Sequence, residues 1–266
     1  MSDWIQLRAR FISAVFWGWL VISSVGCAVV PETGRKQMMM MSRAEEERLG
    51  RSAFSQVRSS LKRSTSTNDV AMIRRVGERI AAVADLPGAS WEFELFESAD
   101  VNAFCLPGGK IGFYSGILKF ADNEAAVAAV MAHEVAHAVA RHGAERMSEQ
   151  RFTMMIGQIA LRAMSDRQVE METQLWVMLA YSVGTQFGRV LPHSRLAESE
   201  ADRIGLIYMA RAGYDPEESV RFWERMAKQD SKSSMPFFLR THPAHLQRIE
   251  DLKRLLPEAK LQYRPR

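Results

Sequence analysis

Two cysteines in 266 residues leave no disulfide framework, so the fold must rest on its own core. Cys27 lies in an apolar N-terminal stretch and Cys105 in an apolar, strand-like run, and two such residues do not fix the compartment. Neither sign of charge dominates: 35 basic residues face 31 acidic ones, for a net charge of +4. The basic tail with Lys253, Arg254, Lys260, Arg264 and Arg266 has no nucleic-acid motif beside it, so nucleic-acid binding is not expected. No internal repeat is present. Thr173 to Phe187 is apolar but too short to span a bilayer. What remains is an ordinary globular balance, 47% apolar and 25% charged, in a chain long enough to build a core without covalent staples.

The N-terminus departs from that balance. Phe11 to Val30 carries no charge and follows Arg8 and Arg10, the pattern of a signal peptide or membrane anchor. Within it, Ser24-Val25-Gly26-Cys27 resembles a bacterial lipoprotein processing site, after which Cys27 is the acylated first residue. Ser24 stands where such sites usually have Leu, so an uncleaved inner-membrane anchor is the alternative. Either places the rest of the chain on the periplasmic side of a cell envelope, and Ala28 after the cysteine favours the outer membrane. The organisation expected is a leader or anchor over 1–27, a tether over 28–41 and one domain over 42–266.

The domain reads as mainly helical (α+β). Ser42 and Glu45 form a capping box that opens a helix to about Leu61. Val70, Ile73, Val76 and Ile80 repeat at helical spacing. Trp91, Phe93 and Leu95 alternate with glutamates as in a half-buried strand, and Val101 to Leu106 and Ile111 to Tyr114 follow as strands around a Pro107-Gly108 turn. These predict a small antiparallel sheet. Beyond Ser115 everything reads as helix: one capped by Asp122 and buried all round from Ala125 to Ala132, one capped by Ser194 and ended by Gly213, one begun at Asp215-Pro216, and a last one from Pro243 to near Pro257.

The chemistry is concentrated in His133-Glu134-Val135-Ala136-His137. On a helix, residues four apart share a face, so both imidazoles can meet one ion. Zinc suits neutral imidazole and carboxylate donors, and a catalytic site keeps one position for water. Glu134 lies about 100° round the helix from His133. It can accept a proton from the metal-activated water during attack on a peptide carbonyl. A buried helix makes unpaired imidazoles costly, and a bound cation removes that cost. All six histidines fall between residues 133 and 245. For a third donor, Glu198 and Asp202 are four apart on one face while Glu200 points nearly opposite. Glu198 can bind the ion while Asp202 orients a ligand histidine through its other ring nitrogen. Ala201 and Gly205 are small enough to let this helix approach the histidine helix.

Taken together, these motifs resemble a family of zinc endopeptidases that includes the HtpX heat-shock membrane protease, the CAAX prenyl protease, the mitochondrial Oma-type protease and the periplasmic β-barrel-assembly-enhancing proteases, with small bacterial lipoprotein members the most similar. The resemblance rests on Thr33-Gly34-Arg35, Asn102-Ala103-Phe104 with Leu106 to Gly109, His133 to His137, Ser194-Arg195 with Glu198 to Asp202, and His242-Pro243 with Arg248. Cys105 and His193 depart from it. It implies a zincin-like fold, a helical bundle around the active-site helix with a small sheet, and one zinc per chain on His133, His137 and Glu198. It implies unfolded or misassembled envelope proteins as substrates. It also places His242 near the zinc, either as an oxyanion donor or as a fourth ligand that keeps the resting enzyme latent. Arg248 is expected to hold a substrate carbonyl or an acidic partner in the site. Asn102, Ala103 and Phe104 form either a substrate-bearing edge strand or plain core sheet. His142, His193 and His245 are expected in surface or capping roles. Two other functions fit less well. One is a zinc-stabilised envelope chaperone or assembly factor with little proteolysis. The other is an aminopeptidase, for which no Gly-x-Met-Glu-Asn run is present. The oligomeric state is not legible.

Overall fold

The structure is a computed structural model, and residues 26–230, 236–243 and 246–265 are described. The leader through Val25, with Arg8, Arg10 and Ser24, lies outside the described residues, as do the side chains of Cys27 and His193 and all of His245. The chain is mainly helical, as expected. An N-terminal hairpin of β1 (Gly26–Val29) and β2 (Lys36–Met39) precedes α1 (Arg43–Ser60) and α2 (Thr67–Ala81). Strands β3 (Glu92–Phe96), β4 (Ala103–Leu106) and β5 (Lys110–Tyr114) form a sheet. Helices α3 (Glu124–Val139), α4 (His142–Asp166), α5 (Met171–Thr185), α6 (Leu191–Arg211) and α7 (Glu217–Asp230) follow. A short α8 (Phe237–Thr241) and α9 (Leu246–Lys260) complete the described elements.

Ser42 caps α1 as read, its hydroxyl accepting from the Glu45 amide at 3.2 Å, but the Glu45 carboxylate accepts from Arg151 at 2.8 Å. The stripe Ile73, Val76 and Ile80 is buried, and α2 packs on both β3 and α3. The three-stranded sheet differs from expectation. Its order is β3-β5-β4, with β4 antiparallel to β5 but β3 parallel to it. Residues 97–109, β4 included, supply the long crossover that a parallel pair requires. The β4–β5 turn does form around Pro107-Gly108, and Gly108 adopts φ +82°, the left-handed value a type II turn requires at its second central position.

Four further readings are corrected. Residues 28–41 are not a free tether: β1 and β2 pair, Val30 is fully buried in the main core, and Met39 and Met41 pack on Ala144 of α4. The cap of α3 is Asn123, whose side chain accepts from the Ala126 amide at 2.9 Å, one residue after the expected Asp122. Ser194 lies inside α6, which begins at Leu191 because a π turn over Gln186–Val190 feeds it directly from α5. Finally, α9 runs past Pro257 to Lys260.

The core is built around α3, whose residues from Ala126 to Ala136 are all buried. Its closest partner is α6. A Cβ on Gly205 would sit 3.2 Å from the His133 amide nitrogen and 3.3 Å from its Cα, so the absence of a side chain there sets how near the two helices come.

Candidate metal centre

Helix α3 brings His133 and His137 to one face, and α6 lays Glu198 against them. The imidazole Nε2 atoms of His133 and His137 are 3.1 Å apart. Glu198 Oε2 lies 3.4 Å from His133 Nε2, and Oε1 lies 3.3 Å from His137 Nε2. A fourth donor arrives from the residue after α8: His242 Nδ1 is 3.2 Å from His133 Nε2 and 2.9 Å from Glu198 Oε2. These four side chains are the group among the described residues whose donor atoms converge closely enough to hold a metal ion. A tetrahedral zinc with donors about 2.0–2.1 Å away sets neighbouring donors about 3.3–3.4 Å apart. The observed spacings fit that shell with small adjustments. Glu134 is buried beside it, its Oε1 lacks a hydrogen-bond partner, and His242 Nε2 is 3.4 Å away. An unpartnered buried carboxylate oxygen next to four convergent donors is costly unless the site takes up a polar ligand.

The electrostatics match that geometry. Burial alone would raise Glu198, but hydrogen bonds from His133, His137 and His242 overcome it and hold the carboxyl well below the usual range. Burial lowers His137 to about 3, keeping it a neutral donor. Burial also lowers His133, but Asp202 and Glu198 outweigh it and raise the ring to about 9. A cation bound there displaces that proton. Burial pushes Glu134 up, towards what a base working near neutrality needs.

Each histidine of the pair is held from behind. Asp202 Oδ1 is 3.0 Å from His133 Nδ1, and Arg248 forks onto Asp202 with two contacts of 2.7 Å. The Arg248 guanidinium also lies 3.5 Å over the Trp223 ring. Of the two roles expected for Arg248, the geometry matches the acidic partner in the site: its donors go to Asp202, Glu198 and the Pro243 carbonyl.

The support behind His137 went unread in the sequence. His142 is buried, with Nδ1 2.9 Å from His137 Nδ1 and Nε2 3.0 Å from Glu200 Oε2. One proton arrangement satisfies all three groups: His137 donates to His142 Nδ1, and His142 donates to Glu200. Arg35 in turn donates to Glu200 at 2.8 Å and to both oxygens of Glu145 at 2.9 and 2.7 Å, and the Thr33 hydroxyl also donates to Glu200. Glu200 does point away from Glu198, but into this network rather than into solvent. His142 has no surface role. Arg141, at φ 57°, breaks the chain between α3 and α4 and folds His142 back onto His137, a turn that no local propensity announces.

Ala103 and Phe104 lie on β4, which is an edge strand of the sheet, and Asn102 precedes it. Ala103 is buried and Asn102 and Phe104 are half-buried. The β4 strand packs against both α1 and α3.

Comparison with known proteins gives the following. A family profile described as peptidase family M48 matches residues 68–256. The chain is 35% identical over 236 residues to the mitochondrial metalloendopeptidase OMA1 of Schizosaccharomyces pombe, covering 87% of this chain and 67% of that protein. It is 31% identical over 244 residues to the human mitochondrial metalloendopeptidase OMA1, covering 87% and 46%. It is 29% identical over 256 residues to the β-barrel assembly-enhancing protease of Escherichia coli K12, covering 93% and 51%. The chain thus spans about two thirds of the fission-yeast relative and about half of the other two.

Proposed function

The chain belongs to peptidase family M48 and is a metallopeptidase, and from that premise we propose that it is a zinc endopeptidase of the bacterial cell envelope acting on unfolded or misassembled proteins. The observation that carries the reading is the convergence of His133, His137 and Glu198 around one point, with Glu134 buried beside it. Those three side chains would hold one zinc ion, which when bound would supply Lewis acidity at the site.

The protein's own residues do the rest. Glu134 takes the proton of the attacking water and passes it to the leaving amine. Asp202 and His142 fix the ring orientation and tautomer of His133 and His137. His242 Nδ1 converges on His133 and Glu198; as a fourth ligand it would take the position a catalytic site keeps open, a resting arrangement from which cleavage would require the ring to swing aside. The alternative role for that ring is to donate to the developing oxyanion. An extended substrate pairs its backbone with the free edge of β4 at Asn102 to Phe104, which reads no particular side chain and so suits unfolded chains.

The leader over residues 1–27 holds this domain at the membrane, through acylated Cys27 at the outer membrane or through an uncleaved inner-membrane helix. Processing before Cys27 removes Gly26 and leaves the rest of β1 paired.

The resting position of His242 also favours a second reading, a zinc-stabilised assembly factor that rarely cleaves. Glu134→Gln separates the two. The peptidase reading expects that variant to keep its metal and lose cleavage of casein as well as the cellular role. Retention of the cellular role supports the assembly factor, and full cleavage removes Glu134 as the base.

A further inference from the structure

The hairpin of α4 and α5 is the most apolar exposed feature among the described residues. No residue of α5 is buried, yet Thr173 to Gly188 carries no charge. Leu175 and Trp176 are 65% and 63% exposed, Leu179 and Val183 are exposed beside them, and Met154 and Ile159 continue the surface on α4. The two helices touch where a Cβ on Gly157 would sit 3.2 Å from the Met178 methyl group and where the Tyr181 hydroxyl donates to the Thr153 carbonyl. An exposed apolar surface of this kind marks a site of interaction with a protein or a membrane.

The position of the hairpin selects the cover. The chain enters the described fold at Gly26, which pairs with Met39. Met39 touches Ser148 of α4, and the Met40 amide donates to the same hydroxyl at 2.9 Å. The uncharged stretch from Phe11 and the candidate lipidation site Cys27 therefore both meet the fold beside the base of this hairpin. The inference rests on the proposed reading of the leader as a membrane anchor, acylated or uncleaved, which would bring the bilayer to that point.

We propose that the α4–α5 hairpin is a membrane-docking surface that lies flat in the bilayer interface beside the anchor. At 1.5 Å per residue α5 is about 22 Å long, short of the roughly 30 Å hydrocarbon core, and no described helix is long and apolar enough to cross a membrane. The tip of the hairpin, from the end of α4 to the start of α5, carries Arg162, Asp166, Arg167, Glu170 and Glu172, charges costly to carry through the hydrocarbon core, which favours a seat at its surface over entry tip-first. Through the π turn, α5 is joined directly to α6, the helix that carries Glu198.

The test uses the full-length chain in vesicles of phosphatidylethanolamine and phosphatidylglycerol. A photoreactive benzoylphenylalanine replaces Leu175 or Leu179, with the exposed Arg74 of α2 as the control position, and adducts are identified by mass. The docking surface predicts phospholipid adducts at 175 and 179 several-fold above those at 74. Equal yields at all three positions, crosslinks to a second copy or to residues 11–25, or failure of the chain to float with the vesicles each overturn it. Metal content and casein cleavage of the same samples report separately on the peptidase reading.

Discussion

Arg35 offers the sharpest test of how the site is supported. It comes from the chain after β1, far in sequence from the histidines, and its guanidinium bridges Glu145 and Glu200. Both carboxylate side chains are 4% exposed, whereas Arg35 is 19% exposed. Removing one partner of a buried ion pair costs about 3–5 kcal/mol. The lower end applies to Arg35→Met, because Thr33 and His142 still donate to Glu200 and the guanidinium is partly wet; about 3 kcal/mol is expected. For a domain of this size that is about 6–12 °C in melting temperature. The loss should reach the metal. With Glu200 loosened, His142 no longer fixes His137, and zinc affinity should fall roughly ten- to a hundredfold. The acid limb of the stability curve should change as well. Burial raises Glu200, but hydrogen bonds from His142, Thr33 and Arg35 prevail and lower it from 4.5 to about 2. A depressed carboxyl contributes stability above its unfolded value and loses it as pH falls through its folded one. The parent should therefore lose stability as pH falls from about 4.5 to 2, and the variant, whose Glu200 is less depressed, should lose less over that range and show a flatter acid limb. Denaturant melts across pH, with zinc competition against a chromophoric chelator, measure all three. A variant within about 1 kcal/mol of the parent and with unchanged zinc affinity would refute the support network.

Other expectations follow from the same geometry. His142→Ala should leave the fold cooperative but weaken zinc binding roughly ten- to a hundredfold, read by chelator competition; unchanged affinity would remove His142 from behind His137. Gly205→Val should push α6 from α3 and cost about 1–3 kcal/mol, with zinc content reduced in the folded fraction; a melt matching the parent would mean the approach is not tight. His242→Ala should retain zinc on the remaining donors and raise basal casein cleavage if the ring blocks the resting site. A fall in cleavage with metal retained would assign His242 to the oxyanion instead.

Much of this was legible because period and spacing constrain it directly. The His133–His137 pair, the Glu198–Asp202 face and the small Ala201–Gly205 stripe all follow from 3.6 residues per turn, and the structure brings them together as that period requires. Two caps were legible to within a residue, Ser42 as read and Asn123 in place of Asp122, whereas Ser194 lies inside α6. What the sequence concealed depended on long-range packing. The direction of β3 is set by its crossover, not by its own alternation. The tether-like stretch after the leader proved to be a hairpin whose Val30 enters the core and whose Arg35 supports a site more than a hundred residues away. No role was legible for Glu200 because its partners, Arg35 and His142, arrive from two other elements.

The central claim is that one zinc ion joins α3 to α6 through two imidazoles and one carboxylate. Zinc K-edge X-ray absorption on the purified full-length chain, with metal content measured on the same sample, tests it most directly. The account predicts about one zinc per chain in a four-coordinate nitrogen and oxygen shell at about 2.0–2.1 Å, collapsing in a His137→Ala, Glu198→Ala variant that still folds. A folded, metal-free parent, or a shell containing sulfur, would contradict it.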